Sequence, residues 1–322
     1  MWRRISALVV PTILAIGIIG YMLYQVRESL PDALKLVRPE FLVIAILVCI
    51  LSWFLRGVRY QVILQGLSLS ITTVYATACI LVSQTANLIV PARLGDLVRI
   101  FILKDEKKAT YSQGLSSLVV ERVFDVVMVA ILGLISVRFV FNVPGWFYTL
   151  ITVPLVGGGI FFLLLYLMGM LQSDNRYIAM ILTMLHEVRQ ASLSARSLGF
   201  LSLSSIGIWL LDVAVCLVVI EMFQLSVPLA VVILAIAIGN LVKAVPLTPG
   251  GIGTYEAALA ITFSLTGLSM VSATLIAIID HLVKNAVTLI GGIISIYFFG
   301  SWVVTLMRRA LKVKMGEDGS RG

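Results

Sequence analysis

The chain has 322 residues, is 60% hydrophobic and only 12% charged, and carries a net charge of +8; its mean hydropathy is +1.07. So few charges cannot cover that much apolar surface in water, which excludes an ordinary soluble domain. Apolar runs of about 18 residues or more recur from end to end and do not alternate, which excludes a β-barrel and predicts an all-α polytopic membrane protein.

The N-terminal stretch MWRRISALVVPTILAIGIIGYMLY has a basic start and no small-residue cleavage site, so it reads as a retained signal anchor. Full transmembrane helices are expected at 5–25, 41–60, 113–137, 146–170, 199–223 and 271–299. Two further runs, 74–103 and 228–265, are interrupted near the middle by VPARLGD (90–96) and PLTPGGIGTYE (246–256). Segment 171–198 sets arginines among apolar residues at helical spacing, the pattern of a cytoplasmic interfacial amphipathic helix. Residues 311–322 form a polar tail. One membrane domain over 1–310 is expected, with no room for a second, soluble one.

Lysine and arginine set the orientation. With the N-terminus in the cytoplasm and each broken run entering and leaving on one side, fifteen basic residues face inward, among them Arg3, Arg56, Arg59, Lys107, Arg189 and Arg308. Four (Arg27, Lys35, Arg38 and Arg138) face outward, and Arg93, Arg99, Arg122, Lys243 and Lys284 complete the 24. This bias predicts a multi-pass cell-membrane protein with both termini cytoplasmic. It also predicts that the broken runs are re-entrant hairpins, because full spans would put the basic segments between them outside. The positive charge punctuates apolar runs and forms no stripe with interleaved aromatics, so no nucleic-acid partner is expected.

The two breaks share a pattern, Pro91-x-x-x-Gly95-Asp96 and Pro249-x-x-x-Gly253-x-x-Glu256, and each precedes a span with embedded charges. The expected fold is therefore six transmembrane helices plus two opposed re-entrant helical hairpins in an inverted repeat, with halves at about 41–140 and 199–300. A broken intramembrane helix must satisfy its freed backbone groups through protein or a wet cavity. Pro249 removes a donor, while Gly250, Gly251 and Gly253 allow close backbone approach. Thr248 or Thr254 is expected to cap the outgoing half-helix, leaving its amides as an anion site.

Intramembrane charge is the second signal. Glu121 and Asp125 share a helix face, with Arg122 in reach of Asp125. Arg93, Asp96 and Arg99 cluster at the first break, and Lys243 stands before the second. Asp280 and Lys284 are spaced to pair. Asp212 and Glu221 read as snorkelling or capping groups near the ends of their span. Cys49, Cys79 and Cys216 lack metal or redox spacing and read as small buried hydrophobes. His186 and His281 are too few and too separated for a metal site, and neither falls in the motif cluster. No cofactor is expected.

NLIVPARLGDLVR (87–99), SLVVERVFD (117–125) and PLTPGGIGTYEAAL (246–259), with RGVR at 56–59, resemble the lysylphosphatidylglycerol synthase transmembrane-region family, also called flippase-like, over nearly the whole chain. Its members include the lipid-flipping half of the multiple peptide resistance factor. The resemblance implies translocation of polar or charged lipids between leaflets. It implies site roles for Asn87, Arg93, Asp96, Arg99, Glu121, Arg122, Asp125, Pro249, Gly250, Gly251, Gly253 and Glu256. An arginine would be expected near position 281, where this chain has Asp280-His281. No aminoacyl-transferase domain is expected after the last span, so lipid aminoacylation is not.

The leading expectation is a lipid translocase, not an enzyme, that takes a membrane lipid with an anionic or phosphate head group. Arg93, Arg99 and Arg122 would attract the phosphate, with Asn87, Lys243 and the amides after Pro249 completing the cradle. Glu121, Asp125 and Glu256 would hold the arginines or titrate. The alternatives are a membrane enzyme acting on a lipid head group and an ion-coupled small-anion transporter. Glycine runs at 157–159 and 291–292 permit close helix contacts, and with them a homo-oligomer.

Overall fold

The computed structural model describes residues 2–28, 31, 35, 38–90, 93–141, 143–167, 175–265 and 267–299, without the side chains of 2–9, 176 and 177. Pro91, the polar tail, the last-loop arginines from Arg308 on and the start of the 171–198 segment lie outside them. Among the described residues the chain is all-helical, with no strand. The helices, in chain order, are α1 (Trp2–Val26), α2 (Glu40–Gly66), α3 (Thr73–Ile89), α4 (Asp96–Lys107), α5 (Tyr111–Val137), α6 (Gly145–Leu167), α7 (Arg176–Ser192), α8 (Ala195–Met222), α9 (Leu229–Ala244), α10 (Thr254–Ser264) and α11 (Met270–Phe299). A single 3-10 turn, Pro249–Gly251, separates α9 from α10.

Helices α2, α6, α8 and α11 are each long and apolar enough to cross a membrane. Helix α5 matches them in length at 27 residues, about 40 Å, but Glu121, Arg122 and Asp125 interrupt its apolar character. Local signals start several of these elements. Thr72 accepts the amide of Tyr75 at the head of α3, Thr110 and Gln113 cap α5 reciprocally, and Ser194 accepts the amide of Ser197 at α8. Lys108, in the left-handed region at φ 54°, ends α4.

The broken runs fold back on themselves: α3 packs against α4, and α9 against α10. The two pairs open toward opposite ends of the bundle. At one end a buried cluster joins the end of α2, the start of α3, the end of α4, α7 and the start of α8. At the other, Met22 of α1 meets the end of α8, the start of α9, the end of α10 and the start of α11. Contacts between the halves are exchanged pairwise. Helix α3 packs on α11, α9 packs on α5, and α2 packs on α8. The apolar side chains facing outward, such as Leu163, Leu203, Ile294 and Tyr297, are those a lipid environment would cover.

Two sequence expectations change here. The second span runs to Gly66 instead of 60, which sets Arg56 and Arg59, counted from sequence as inward-facing charges, well inside the helix and not at its end. Arg59 is only 1% exposed. Without these two, the inward count expected from sequence is thirteen against four. The second is Asp212, which lies mid-helix in α8 and is buried, so it neither caps nor snorkels.

Candidate functional site

The two breaks meet. Gly250 stands against Leu88 so closely that an added Cβ would fall 2.7 Å from Leu88 Cδ2. Arg93, itself at a positive φ of 53°, donates from Nη2 to the carbonyl of Lys243 at 3.2 Å. A non-glycine residue in that region is uncommon and is held there by its surroundings. Beside this junction lies a cavity of ≈ 150 Å³, lined from α2, α3, α5, α8, α9, α11 and both breaks. Apolar helices around a polar interior define where water or a polar ligand can sit.

The cavity wall carries charges in two groups. In the first half, Arg122 donates to both oxygens of Asp96 at 3.1 and 3.0 Å and lies 3.7 Å from Asp125. Asp96 also accepts from Ser83 at 3.0 Å and Asn87 at 2.9 Å. Behind them, Arg59 reaches Asp125 at 2.6 Å and Ser205 at 2.7 Å, and Arg99 pairs with Glu121. Arg99 is fully buried and Arg59 nearly so. These two arginines neutralise carboxylates within the protein and do not line the cavity, whereas Arg122 does.

In the second half, Glu256 Oε2 accepts the amide of Gly253 at 2.7 Å and its Oε1 meets His281 Nδ1 at 2.7 Å. His281 Nε2 lies 3.0 Å from Lys243 Nζ. Lys284 bridges the Asp280 carboxylate at 2.9 Å and the Tyr255 hydroxyl at 3.2 Å. Across the cavity Arg56 pairs with Asp212 at 3.0 Å, between the rings of Trp53 and Trp209.

Of the residues named from sequence, Asn87, Arg93, Glu121, Arg122, Asp125, Lys243, Gly250 and Gly251 line the cavity. Asp96, Arg99, Gly253 and Glu256 stand behind it and support residues that do. The expected threonine cap is replaced. Thr254 donates to the carbonyl of Gly251 at 3.1 Å, and Glu256 takes the free amide at the head of α10. A carboxylate is the stronger acceptor and also favours the positive end of the helix dipole. The chain's own Glu256 thus occupies the place expected for a ligand anion.

Sequence reasoning missed Arg56, Asp212, His281 and Lys284 as cavity residues. It set His281 outside the motif cluster, whereas the structure brings it between Glu256 and Lys243. A signal was present: Asp280, His281 and Lys284 repeat the spacing of Glu121, Arg122 and Asp125. Each triplet sits on the helix after a break, and its second member meets the acid of the preceding half-helix, Arg122 with Asp96 and His281 with Glu256.

Among the described residues no group of three or more histidine, cysteine or acidic side chains is arranged to hold a metal ion. Neither Arg93 nor Lys243 has a described carboxylate within the 4.0 Å of an ion pair. All other cations of the cavity wall have one.

The sequence model of the family described as "Lysylphosphatidylglycerol synthase TM region" matches residues 7–292. The chain belongs to this family. It is 27% identical to Glycosyltransferase AglD of Haloferax volcanii over 94% of this chain, but spans only 55% of that relative's length. It is 22% identical to a UPF0104 membrane protein of Methanothermobacter thermautotrophicus, covering 85% of this chain and 90% of the relative. A UPF0104 membrane protein of Methanocaldococcus jannaschii is 26% identical over 66% of this chain and 92% of its own length. No solved structure matches the chain. In this member of the lysylphosphatidylglycerol synthase transmembrane-region family, all three quoted motifs and RGVR contribute to one charged, partly apolar centre.

Proposed function

We propose that this protein moves a lipid with a phosphate-bearing head group between leaflets through the central cavity, while the acyl chains stay in the bilayer. One observation carries the reading: Arg93 and Lys243, one from each break, face the cavity with no carboxylate partner among the described residues. A cation at membrane depth is costly unless it meets water or an anion. The guanidinium stays charged, and its planar fork fits two phosphate oxygens. Among the relatives, one is named a glycosyltransferase, which favours a head group that carries a glycosyl unit.

The architecture that goes with this reading has α1, α2, α5, α6, α8 and α11 as spans. The pairs α3–α4 and α9–α10 are re-entrant hairpins from opposite faces. Their opposite openings and the pairwise exchange of contacts support an inverted repeat with its site at the junction.

The test is translocation of a fluorescent phosphatidylglycerol in reconstituted vesicles. Arg93→Gln and Lys243→Gln should each slow it at least about tenfold, the scale of one lost charge-assisted hydrogen bond. Arg93→Lys should restore only part of the rate. Native rates in both glutamine variants would make these cations structural.

A second reading, transfer chemistry on a lipid head group, is favoured by His281, which lines the cavity with its ring oriented by Glu256. Turnover of a labelled glycosyl-phosphate lipid by purified protein separates the two readings.

A further inference from the structure

Three groups form a continuous hydrogen-bonded line from the head of α10 to the cavity: Glu256, His281 and Lys243. The partners fix the proton positions. A carboxylate only accepts and an ammonium only donates, so His281 carries its proton on Nδ1, donates a hydrogen bond through it to Glu256, and accepts one from Lys243 at Nε2. His281 is then neutral, and its one free lone pair is used up by Lys243. The ring lies against Tyr255, with centroids 4.5 Å apart, and is 1% exposed.

We propose that this line takes up a proton when an anion binds Lys243, so that head group and proton occupy the protein together. The proposal rests on the anion site argued above. An anion in the cavity attracts the ammonium of Lys243 away from Nε2. The freed nitrogen then accepts a proton from solvent by way of the cavity, giving an imidazolium held between the Glu256 carboxylate and the bound anion. No electron moves and no heavy-atom bond breaks. Without the anion, the same protonation would set an imidazolium beside an ammonium and break their hydrogen bond. Reciprocity follows: the anion raises the proton affinity of His281, and a proton on His281 raises the affinity for the anion by the same factor.

The charged and titratable groups around the ring make this coupling local. Helix α10 presents Glu256 and Tyr255, α9 presents Lys243, and Asp280 and Lys284 flank the ring on α11 itself. Asp280 and Lys284 neutralise one another. On α8, Asp212 is paired with Arg56 of α2, and Cys216 is a buried thiol. Helix α3 meets α11 through Leu81 and Thr85, which carry no charge, and α1 contributes Met22 to the apolar cluster beside the ring's helix. Among the described residues, Lys243 is therefore the one cation in contact with the imidazole whose position an anion can change.

The experiment uses purified full chain in detergent and short-chain phosphatidylglycerol, whose phosphodiester keeps a single charge across the range studied. Calorimetric titration in two buffers of different ionisation enthalpy reads the protons taken up. Net uptake approaching about one proton is expected between about pH 6 and 8, with affinity rising up to about tenfold per unit fall in pH. His281→Gln should bind more weakly and without proton uptake. Wild-type protein labelled with nitrogen-15 histidine gives a second measurement, since the chain has only two histidines. The His281 signal should change from the Nδ1–H neutral form to the imidazolium on adding lipid. Binding with no proton uptake, or with His281 still neutral, overturns the coupling and leaves the anion site standing. Failure of the wild-type protein to bind overturns the anion site itself, and the coupling with it.

Discussion

At the scale of the residue, the arginines divide by their partners. Arg59 and Arg99 are enclosed and bonded to Asp125 and Glu121, so they balance buried carboxylates within the protein. Arg93 makes one backbone hydrogen bond and faces the cavity. Their substitutions should therefore fail in different ways. Arg59→Met takes the nearest cation from Asp125, leaving Arg122 at 3.7 Å, and should cost about 3 kcal/mol of stability, seen as a large fall in the thermal unfolding midpoint of detergent-solubilised protein. Arg93→Gln should stay within about 1 kcal/mol of wild type in the same measurement, its loss appearing only in transport. Equal destabilisation by the two variants would refute the division.

At the scale of the element, the second break depends on backbone that side chains rarely adopt. Gly251 lies at φ 78°, and a Cβ there would fall 2.7 Å from Lys243 Cγ and 2.9 Å from its Cδ. Gly267, at φ 87°, has nothing within 4 Å of the same position. Gly251→Ala and Gly267→Ala share a conformational cost of about 1–2 kcal/mol, but only the first also pushes the stem of Lys243. Translocation should fall with Gly251→Ala and persist with Gly267→Ala at comparable thermal stability. Equal transport in the two variants would mean that the close approach of Gly251 to Lys243 has no part in function.

At the scale of the whole molecule, the packing constrains topology. Lys107 ends α4 beside the start of α5, and Ser112 and Ser116 of α5 bond Glu187 of α7, so Lys107 and Arg189 share one end of the bundle. Gly66, at the end of α2, also packs against Ala191 there. Arg38 donates its amide to Met222 at the opposite end. With the basic loops in the cytoplasm, single cysteines at 107 and 189 should resist an impermeant thiol reagent added outside cells, and one at 38 should react. The background must lack Cys49, Cys79 and Cys216, although all three are buried. Reaction at 107 from outside would remove the first re-entrant hairpin and the inverted repeat with it.

The sequence by itself determined the helical membrane class, the two breaks and most of the charges that matter, because each is written in local terms. Apolar runs need helices, a Pro-Gly cluster ends one, and a charge within an apolar run needs a partner. Family membership was legible too, in motifs that lie close along the chain. Only the tertiary structure decided which charges face the cavity. Arg56 and Asp212 lie 156 residues apart, and Arg93 meets the Lys243 carbonyl across 150, separations that no periodicity registers. Arg99 and Arg93 are the same residue type and differ in surroundings because one has a carboxylate packed against it and the other does not. His281 was set aside for the same reason: its partners Glu256 and Lys243 stand 25 and 38 residues away in the chain and reach it only through the packing of α9 and α10 against α11.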